Sequence, residues 1–143
     1  MSGKPIKTVG TTDWMRDKGL SAGCSDGDGD VASGTSIFDP VLCELAYSWF
    51  SPPGGTVLDP FAGGSVRGIV ASRLGRQYIG VELREEQVQA NRTQGEELCP
   101  DLPPVWITGD SRNIGRLCHD VEADFVFSCP PYADLEVYSA RHP

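Results

Sequence analysis

Acidic side chains follow three successive apolar runs, and their type and spacing suggest chemistry. Asp59 and Asp110 end the first and third runs, and Glu82, ending the second, follows Asp59 at close to the ~20-residue offset of a carboxylate that meets ribose hydroxyls. A carboxylate such as Asp110 can also accept a hydrogen bond from an adenine amino group. Each residue alone could be a helix N-cap, so the prediction of an adenosine-shaped site depends on the set.

A glycine-containing turn comes directly after the first of these runs. We call the segment 59–64 the cofactor loop; it consists of Asp59, Pro60, Phe61, Ala62, Gly63 and Gly64. Glycines permit close backbone approach, and a helix that follows the turn would offer unpaired N–H groups to an anion. The dinucleotide fingerprint and the phosphate-loop motif are both missing, so a plain strand-to-helix turn stays open on this segment alone.

The fourth apolar run ends in the segment Cys129, Pro130, Pro131 and Tyr132, which we call the diproline loop. Two successive prolines cannot continue a strand ladder, so they predict a stiff loop whose carbonyl oxygens are free to accept hydrogen bonds. Tyr132 adds a flat aromatic face for stacking. Beside a nucleoside pocket, these features favour a second binding surface over a simple turn.

Alternating apolar runs and helical patterns predict the elements that position these loops. Asp39 can cap a helix with Pro40 at its first position and apolar residues at Val41, Leu42, Leu45, Ala46 and Trp49. Strands are predicted at 56–59, 77–82, 105–108 and 124–128, and helices at 65–74, 84–98 and around 112–117. This alternation indicates an α/β fold with a parallel sheet, whose ligands bind beyond the carboxyl ends of the strands.

Composition limits the class of protein. The chain has 143 residues, enough for about one domain, and its net charge of -8 argues against a broad basic face for duplex phosphate. The N-terminal residues lack the apolar stretch of a signal peptide, and five cysteines without a C-x-x-C pair predict reduced thiols in the cytoplasm. The acidic cluster at 26–30 lacks the glycine and glutamate of a calcium loop and is interpreted as solvated.

These motifs resemble those of the amino-group DNA methyltransferases, which transfer a methyl group from S-adenosyl-L-methionine to N6 of adenine or N4 of cytosine. The cofactor loop is similar to their D-P-F-x-G-x-G motif and the diproline loop to their [DNS]-P-P-Y motif. The segment 35–40 sits where the family contacts the methionine end of the cofactor, and the sequence of residues 36–55 is similar to that of phage-encoded modification methylases. The resemblance spans about residues 35–139.

The resemblance implies a Rossmann-like fold, here partial with about four parallel strands, and a role for each motif. Phe38, Asp39, Pro40 and the cofactor loop would hold the methionine end, Glu82 the ribose, and Asp110 with Ser111 the adenine. The diproline loop would be catalytic: the Pro130 carbonyl and the residue at position 129 would accept hydrogen bonds from the target amino group of a flipped base stacked on Tyr132. No metal is implied.

Two positions in the motifs differ from the residues that the family usually carries there. Cys129 replaces the usual Asp, Asn or Ser, and because a thiol is a weak acceptor, its backbone, Ser128 or Asp134 would have to substitute. Ser65 stands where the second glycine is usual. Cytosine-C5 chemistry is disfavoured because that class places Pro before its cysteine.

The length of the chain departs further, because few residues follow Tyr132. We expect an N-terminal arm at 1–35, an incomplete domain at 36–139, a C-terminal end at 140–143, and a missing segment or second chain that completes the sheet. DNA is the expected partner, and a membrane is not. Alternatives are a non-catalytic nucleotide-binding module and methylation of RNA or of protein glutamine.

Overall fold

Four parallel strands form the central sheet of the computed structural model, which describes residues 38–131. The strands are β1 Thr56–Asp59, β2 Gln77–Glu82, β3 Val105–Thr108 and β4 Phe125–Val126, and they lie in the order β3-β2-β1-β4. All three strand pairs are parallel. The predicted parallel α/β sheet is therefore confirmed, and the order reverses at β1, which has β2 on one side and β4 on the other.

Helices connect the strands as the sequence predicted. They are α1 Pro40–Phe50, α2 Val66–Arg73, α3 Glu85–Leu98 and the short α4 Ile114–Leu117, which is preceded by a 3₁₀ turn at Ser111–Asn113. The Asp39 side chain accepts hydrogen bonds from two amides of the first turn of α1. Gly75 ends α2 with a φ of 73°, a left-handed conformation that favours glycine.

The core lies between the sheet and its helices and is built around large aromatic side chains. Tyr47 of α1, Tyr78 of β2 and Trp106 of β3 are almost fully buried, together with Val57 and Val70. Rings of Tyr47 and Phe127 meet edge to face at 5.5 Å, so α1 packs over the chain just after β4. This packing holds the strand ends in fixed relative positions.

Most of the apolar positions that the sequence marks on α1 do not form its buried face. The helix buries Cys43, Ala46 and Tyr47, whereas four of the five apolar residues in the predicted pattern are exposed: Val41, Leu42, Leu45 and Trp49. The reason is a specific contact, because the buried Tyr47 hydroxyl donates to the backbone carbonyl of Arg67 and fixes the rotation of the helix. Strand β4 is also shorter than predicted and is limited to two residues.

Within residues 38–131 there is no helix of the length and apolar character that a bilayer crossing requires. The acidic cluster at 26–30 and the predicted N-terminal arm lie outside the described residues.

Candidate functional site

Asp59, at the carboxyl end of β1, is completely buried and lies at the centre of the strand-end cluster. One carboxylate oxygen accepts from Arg67 Nε at 2.6 Å and from the Tyr78 hydroxyl at 2.7 Å. The other accepts from Ser128 Oγ at 2.6 Å and from the amide of Phe61 at 3.1 Å. The carboxylate is therefore satisfied within the chain, so Asp59 would influence a ligand by fixing the backbone of the cofactor loop.

Arg67, in the first turn of α2, is a buried cation that binds the cofactor loop from inside. Besides Asp59, its guanidinium donates to the carbonyls of Phe61 and Ala62 at 2.6 and 2.9 Å. Burial acts to lower the pKa of Arg67, but the adjacent Asp59 carboxylate outweighs it and the pKa is raised. Burial, reinforced by the charge of Asp59, raises the pKa of Tyr78, whose hydroxyl keeps the proton it donates.

Glu82, at the carboxyl end of β2, lies directly beside the cofactor loop. Its carboxylate accepts from the amide of Gly63 and from the amide of Arg84, both at 3.0 Å. The carbonyl of Gly63 in turn accepts from the buried side chain of Asn91 on α3 at 2.7 Å. Gly63 has a φ of 53°, so the loop turns there in a conformation that glycine adopts without strain.

The third strand end meets the same loop. The Ser111 hydroxyl donates to the carbonyl of Pro60, which joins the turn after β3 to the turn after β1. Asp110 accepts from the backbone and the guanidinium of Arg112, and these hydrogen bonds lower the pKa of Asp110. Glu82 and Ser111 therefore contact the cofactor loop, and Asp110 directly precedes Ser111; a shared ligand site at these residues stays a prediction.

Residues 38–40 were predicted to contact the methionine end of the cofactor. Of these, only Phe38 is linked to the cofactor loop in the described part of the chain, through its contact with Arg67. Phe38 packs against Phe127 at 5.6 Å and receives the Arg67 guanidinium over its ring at 4.7 Å. Asp39 and Pro40 start α1, and the Asp39 carboxylate is occupied by helix capping. Any contact of these residues with a ligand stays a prediction.

The diproline loop begins directly after Ser128, a residue that follows β4 and contacts the cofactor loop. Ser128 donates to Asp59 and accepts from the amide of Phe61 at 3.0 Å, so its hydroxyl faces the cofactor loop. This geometry argues against Ser128 as the replacement acceptor for the weak thiol of Cys129. Cys129 is half-buried and unbridged, Pro130 and Pro131 are exposed, and Tyr132 and Asp134 lie outside the described residues.

The donors and acceptors at this edge fit an adenosyl ligand carrying an amino acid. In the part of the chain that the structure describes, the amides of Gly64 and Ser65 donate to no other group. A Cβ placed on Gly64 would meet no atom within 4 Å, so the space beside the loop is open. The Glu82 side chain is 13% exposed and that of Asp110 32% exposed, which leaves carboxylate acceptors for hydroxyl and amino groups.

A shallow cavity of about 260 Å³ lies elsewhere, at the start of β3. It is lined by Arg92, Glu96, Pro103, Pro104, Val105 and Trp106. None of the predicted site residues contributes to it.

The strand order of the sheet reverses at β1, a glycine turn follows β1, and acidic residues end the neighbouring strands. This arrangement is found in the Rossmann-like fold of S-adenosylmethionine-dependent methyltransferases. Solved structures of this class superpose on the chain. One, a proposed RNA methyltransferase from Pyrococcus horikoshii, is 27% identical with a TM-score of 0.53 and covers 66% of this chain and 44% of its own. Another, from Agrobacterium tumefaciens, is 21% identical with a TM-score of 0.52 and covers 64% and 30%.

Within that class, residues 43–93 match the family model described as DNA methylase, N6_N4_Mtase. The type II methyltransferase M.SmaI of Serratia marcescens is 41% identical over 51 residues, and M.Cfr9I of Citrobacter freundii is 49% identical over 47 residues. These matches cover 36% and 32% of this chain but only 18% and 16% of the relatives' length. The resemblance to amino-methyltransferases is confirmed over this segment.

Sequence reasoning missed three residues that contact Asp59 or the cofactor loop, namely Arg67, Tyr78 and Asn91, and it also missed that Ser128 binds this loop. Their partners lie 8 to 69 residues away in sequence, so no local pattern marks them. The first turn of a helix is an unfavourable position for a cation such as arginine, because the helix N-terminus carries a partial positive charge. That mismatch was the one available signal for Arg67.

Proposed function

We propose that this chain carries the cofactor half and the catalytic loop of an enzyme that methylates exocyclic amino groups of adenine or cytosine in DNA. The observation that carries the proposal is the contact of the cofactor loop with the residue that directly precedes the diproline loop. That residue, Ser128, is hydrogen-bonded both to Asp59 and to the amide of Phe61. A methyl donor beside the cofactor loop would therefore lie next to the diproline loop.

Each part of the site has a chemical task in this proposal. S-adenosyl-L-methionine, when bound, supplies an electrophilic methyl group. The free amides after Gly63, together with Glu82 and Asp110, would hold and orient it. The carbonyl of Pro130 would accept a hydrogen bond from the target amino group, whose lone pair is otherwise delocalised into the base. Stacking of the base on Tyr132 would complete the alignment.

The exposed edge of β4 supports a further part of the proposal, that additional polypeptide completes the sheet. Val126 is 57% exposed, and β4 pairs only with β1 in the described part of the chain. An uncovered strand edge promotes association with other chains. We infer that a longer chain or a second chain covers this edge and supplies the basic surface for DNA.

One observation favours a second candidate, a nucleotide-binding module without catalysis. The position expected to hold a strong acceptor carries the thiol of Cys129, and the nearby Ser128 hydroxyl is occupied by the cofactor loop. Such a chain would bind the cofactor and transfer nothing.

Transfer of tritiated methyl groups to unmethylated DNA, alongside RNA and a no-substrate control, tests the proposal. We expect incorporation into DNA that falls at least about 100-fold in Tyr132→Ala, the scale of losing a positioning group, whereas Tyr132→Phe, which retains an aromatic ring for stacking, keeps it. Calorimetry with S-adenosyl-L-methionine accompanies the assay. Binding without transfer would favour the module, transfer to RNA alone would replace the substrate, and absence of binding would contradict both candidates.

A further inference from the structure

We propose that Arg67 and Ser128 are positioning residues that couple the cofactor loop to the diproline loop through the buried carboxylate of Asp59. The inference rests on the proposed function and extends it to residues outside both motifs. Its basis is one connected set of contacts in which Arg67 and Ser128 bind opposite oxygens of Asp59.

Ser128 has the more restricted geometry of the two. A hydroxyl has one proton, and in Ser128 that proton is directed to Asp59 Oδ1 at 2.6 Å. Its oxygen accepts from the amide of Phe61 at 3.0 Å, so both functions of the hydroxyl are used on the cofactor loop. Because Cys129 follows directly, these two bonds fix the point from which the diproline loop starts.

Arg67 fixes the other side of the same carboxylate. Its guanidinium reaches Asp59 and the carbonyls of Phe61 and Ala62, and it lies over the ring of Phe38. This planar fork of donors therefore joins the segment before α1 to the cofactor loop, and through Asp59 to Ser128, which follows β4. A lysine ammonium, which is a compact charge on a flexible stem, cannot reproduce the fork.

The coupling has a functional consequence. A shift of the cofactor loop moves the Phe61 amide and Asp59, and both are bonded to Ser128. The hydrogen bonds of Arg67 and Ser128 to Asp59 and the cofactor loop would then set the distance between a methyl donor held by the loop and the carbonyl of Pro130. Loss of either residue should weaken cofactor binding beyond its effect on the stability of the fold.

The chain contains a matched pair of control residues, Ser51 and Arg76, on the side of the amino end of β2 and not at the carboxyl ends of the strands. Ser51 is buried, and its hydroxyl, like that of Ser128, has two partners: it donates to the carbonyl of Tyr47 and accepts from Arg76. Arg76 is a buried arginine whose guanidinium contacts carbonyls and a serine hydroxyl, as Arg67 contacts carbonyls and a carboxylate. Ser51→Ala and Arg76→Lys therefore measure the cost of losing similar bonds elsewhere.

Calorimetric titration with S-adenosyl-L-methionine is the first test. We expect Ser128→Ala to lower affinity about tenfold, the loss of one hydrogen bond to a charged group, and Ser128→Thr to restore it. Ser51→Ala should reduce thermal stability to a similar extent and leave affinity within about twofold. Equal affinities in Ser128→Ala and Ser51→Ala would overturn the inference.

Hydrogen exchange of the unliganded protein is the second test and separates the two proposals. Arg67→Lys should increase amide exchange at residues 127–129, which Arg67 does not contact, whereas Arg76→Lys should not. Equal exchange at 127–129 in the two variants would overturn the coupling. If the wild-type chain bound no cofactor, the proposed function would fail, and this exchange comparison would still decide whether the two loops are coupled.

Discussion

At the scale of single residues, the site depends on one buried ion pair. Asp59 and Arg67 are both almost inaccessible to solvent, and their charges are compensated by each other and by hydrogen bonds to Tyr78 and to loop carbonyls. A buried pair contributes little net stability when intact, but removal of one partner leaves an unpaired charge. Removal of either Asp59 or Arg67 would therefore also disturb the cofactor loop, which both residues contact.

Asp59→Asn should lower the free energy of unfolding by about 3–5 kcal/mol, because Arg67 would stay buried without its counter-charge. Urea denaturation measures the change. Asp124→Asn is the matched control, since the Asp124 carboxylate also binds an amide, that of Thr56, but is exposed to solvent. Its effect should stay below about 1 kcal/mol, and similar losses in the two variants would contradict this account of the ion pair.

At the scale of elements, close packing of α2 on the sheet depends on a glycine. A Cβ at Gly68 would lie 2.7 Å from a ring carbon of Trp106 and 2.9 Å from one of Tyr78, both fully buried. Neither ring can move without disturbing the core. The helix that carries Arg67 can therefore approach β2 and β3 this closely only without a side chain at Gly68.

Gly68→Ala should destabilise the protein by about 1–3 kcal/mol through overpacking, although alanine favours a helix by about 1 kcal/mol. Gly115→Ala serves as the comparison, because a Cβ at Gly115 would meet no atom within 4 Å. That variant should be neutral or slightly more stable. Thermal unfolding of both variants decides; a Gly68→Ala protein as stable as Gly115→Ala would show that the close approach is relaxed in solution.

Elements were predictable from sequence where their signals are local. The positions of β1, β2 and β3 were predicted to within a residue. The signals were apolar runs bounded by turn-forming residues, namely Gly54, Gly75 and the prolines. The orientation of α1 was not predictable, because it follows from the contact of Tyr47 with Arg67, 20 residues away. For the same reason, the strand-end motifs predicted a candidate site at this edge of the sheet, but not that Asp59 is buried or that Ser128 binds it.

At the scale of the whole molecule, α1 and β4 share a surface that carries several exposed apolar side chains. The surface combines the outer face of α1 with the edge of β4, since the ring of Phe50 stacks on that of Phe125 at 6.2 Å. Trp49 is 70% exposed on the same helix. A contiguous patch of this kind, next to an open strand edge, promotes association.

Val126→Lys should therefore raise the soluble concentration of the purified chain and reduce its binding of a hydrophobic dye. A charged side chain on the edge strand opposes strand pairing between chains. Leu83→Lys provides the control, because Leu83 is exposed on a loop away from this surface. Dye fluorescence and sedimentation measure both variants, and equal effects would contradict a specific role for the β4 edge.

The order of strands in the sheet also determines when the site is completed during folding. Strands β1, β2 and β3 follow one another in the chain and pair as neighbours, whereas β4 joins β1 through residues such as Thr56 and Asp124, which are 68 positions apart. Closing a longer loop costs more entropy before any contact compensates for it. The β1–β2–β3 unit should form early, and Ser128 should reach Asp59 in the last step.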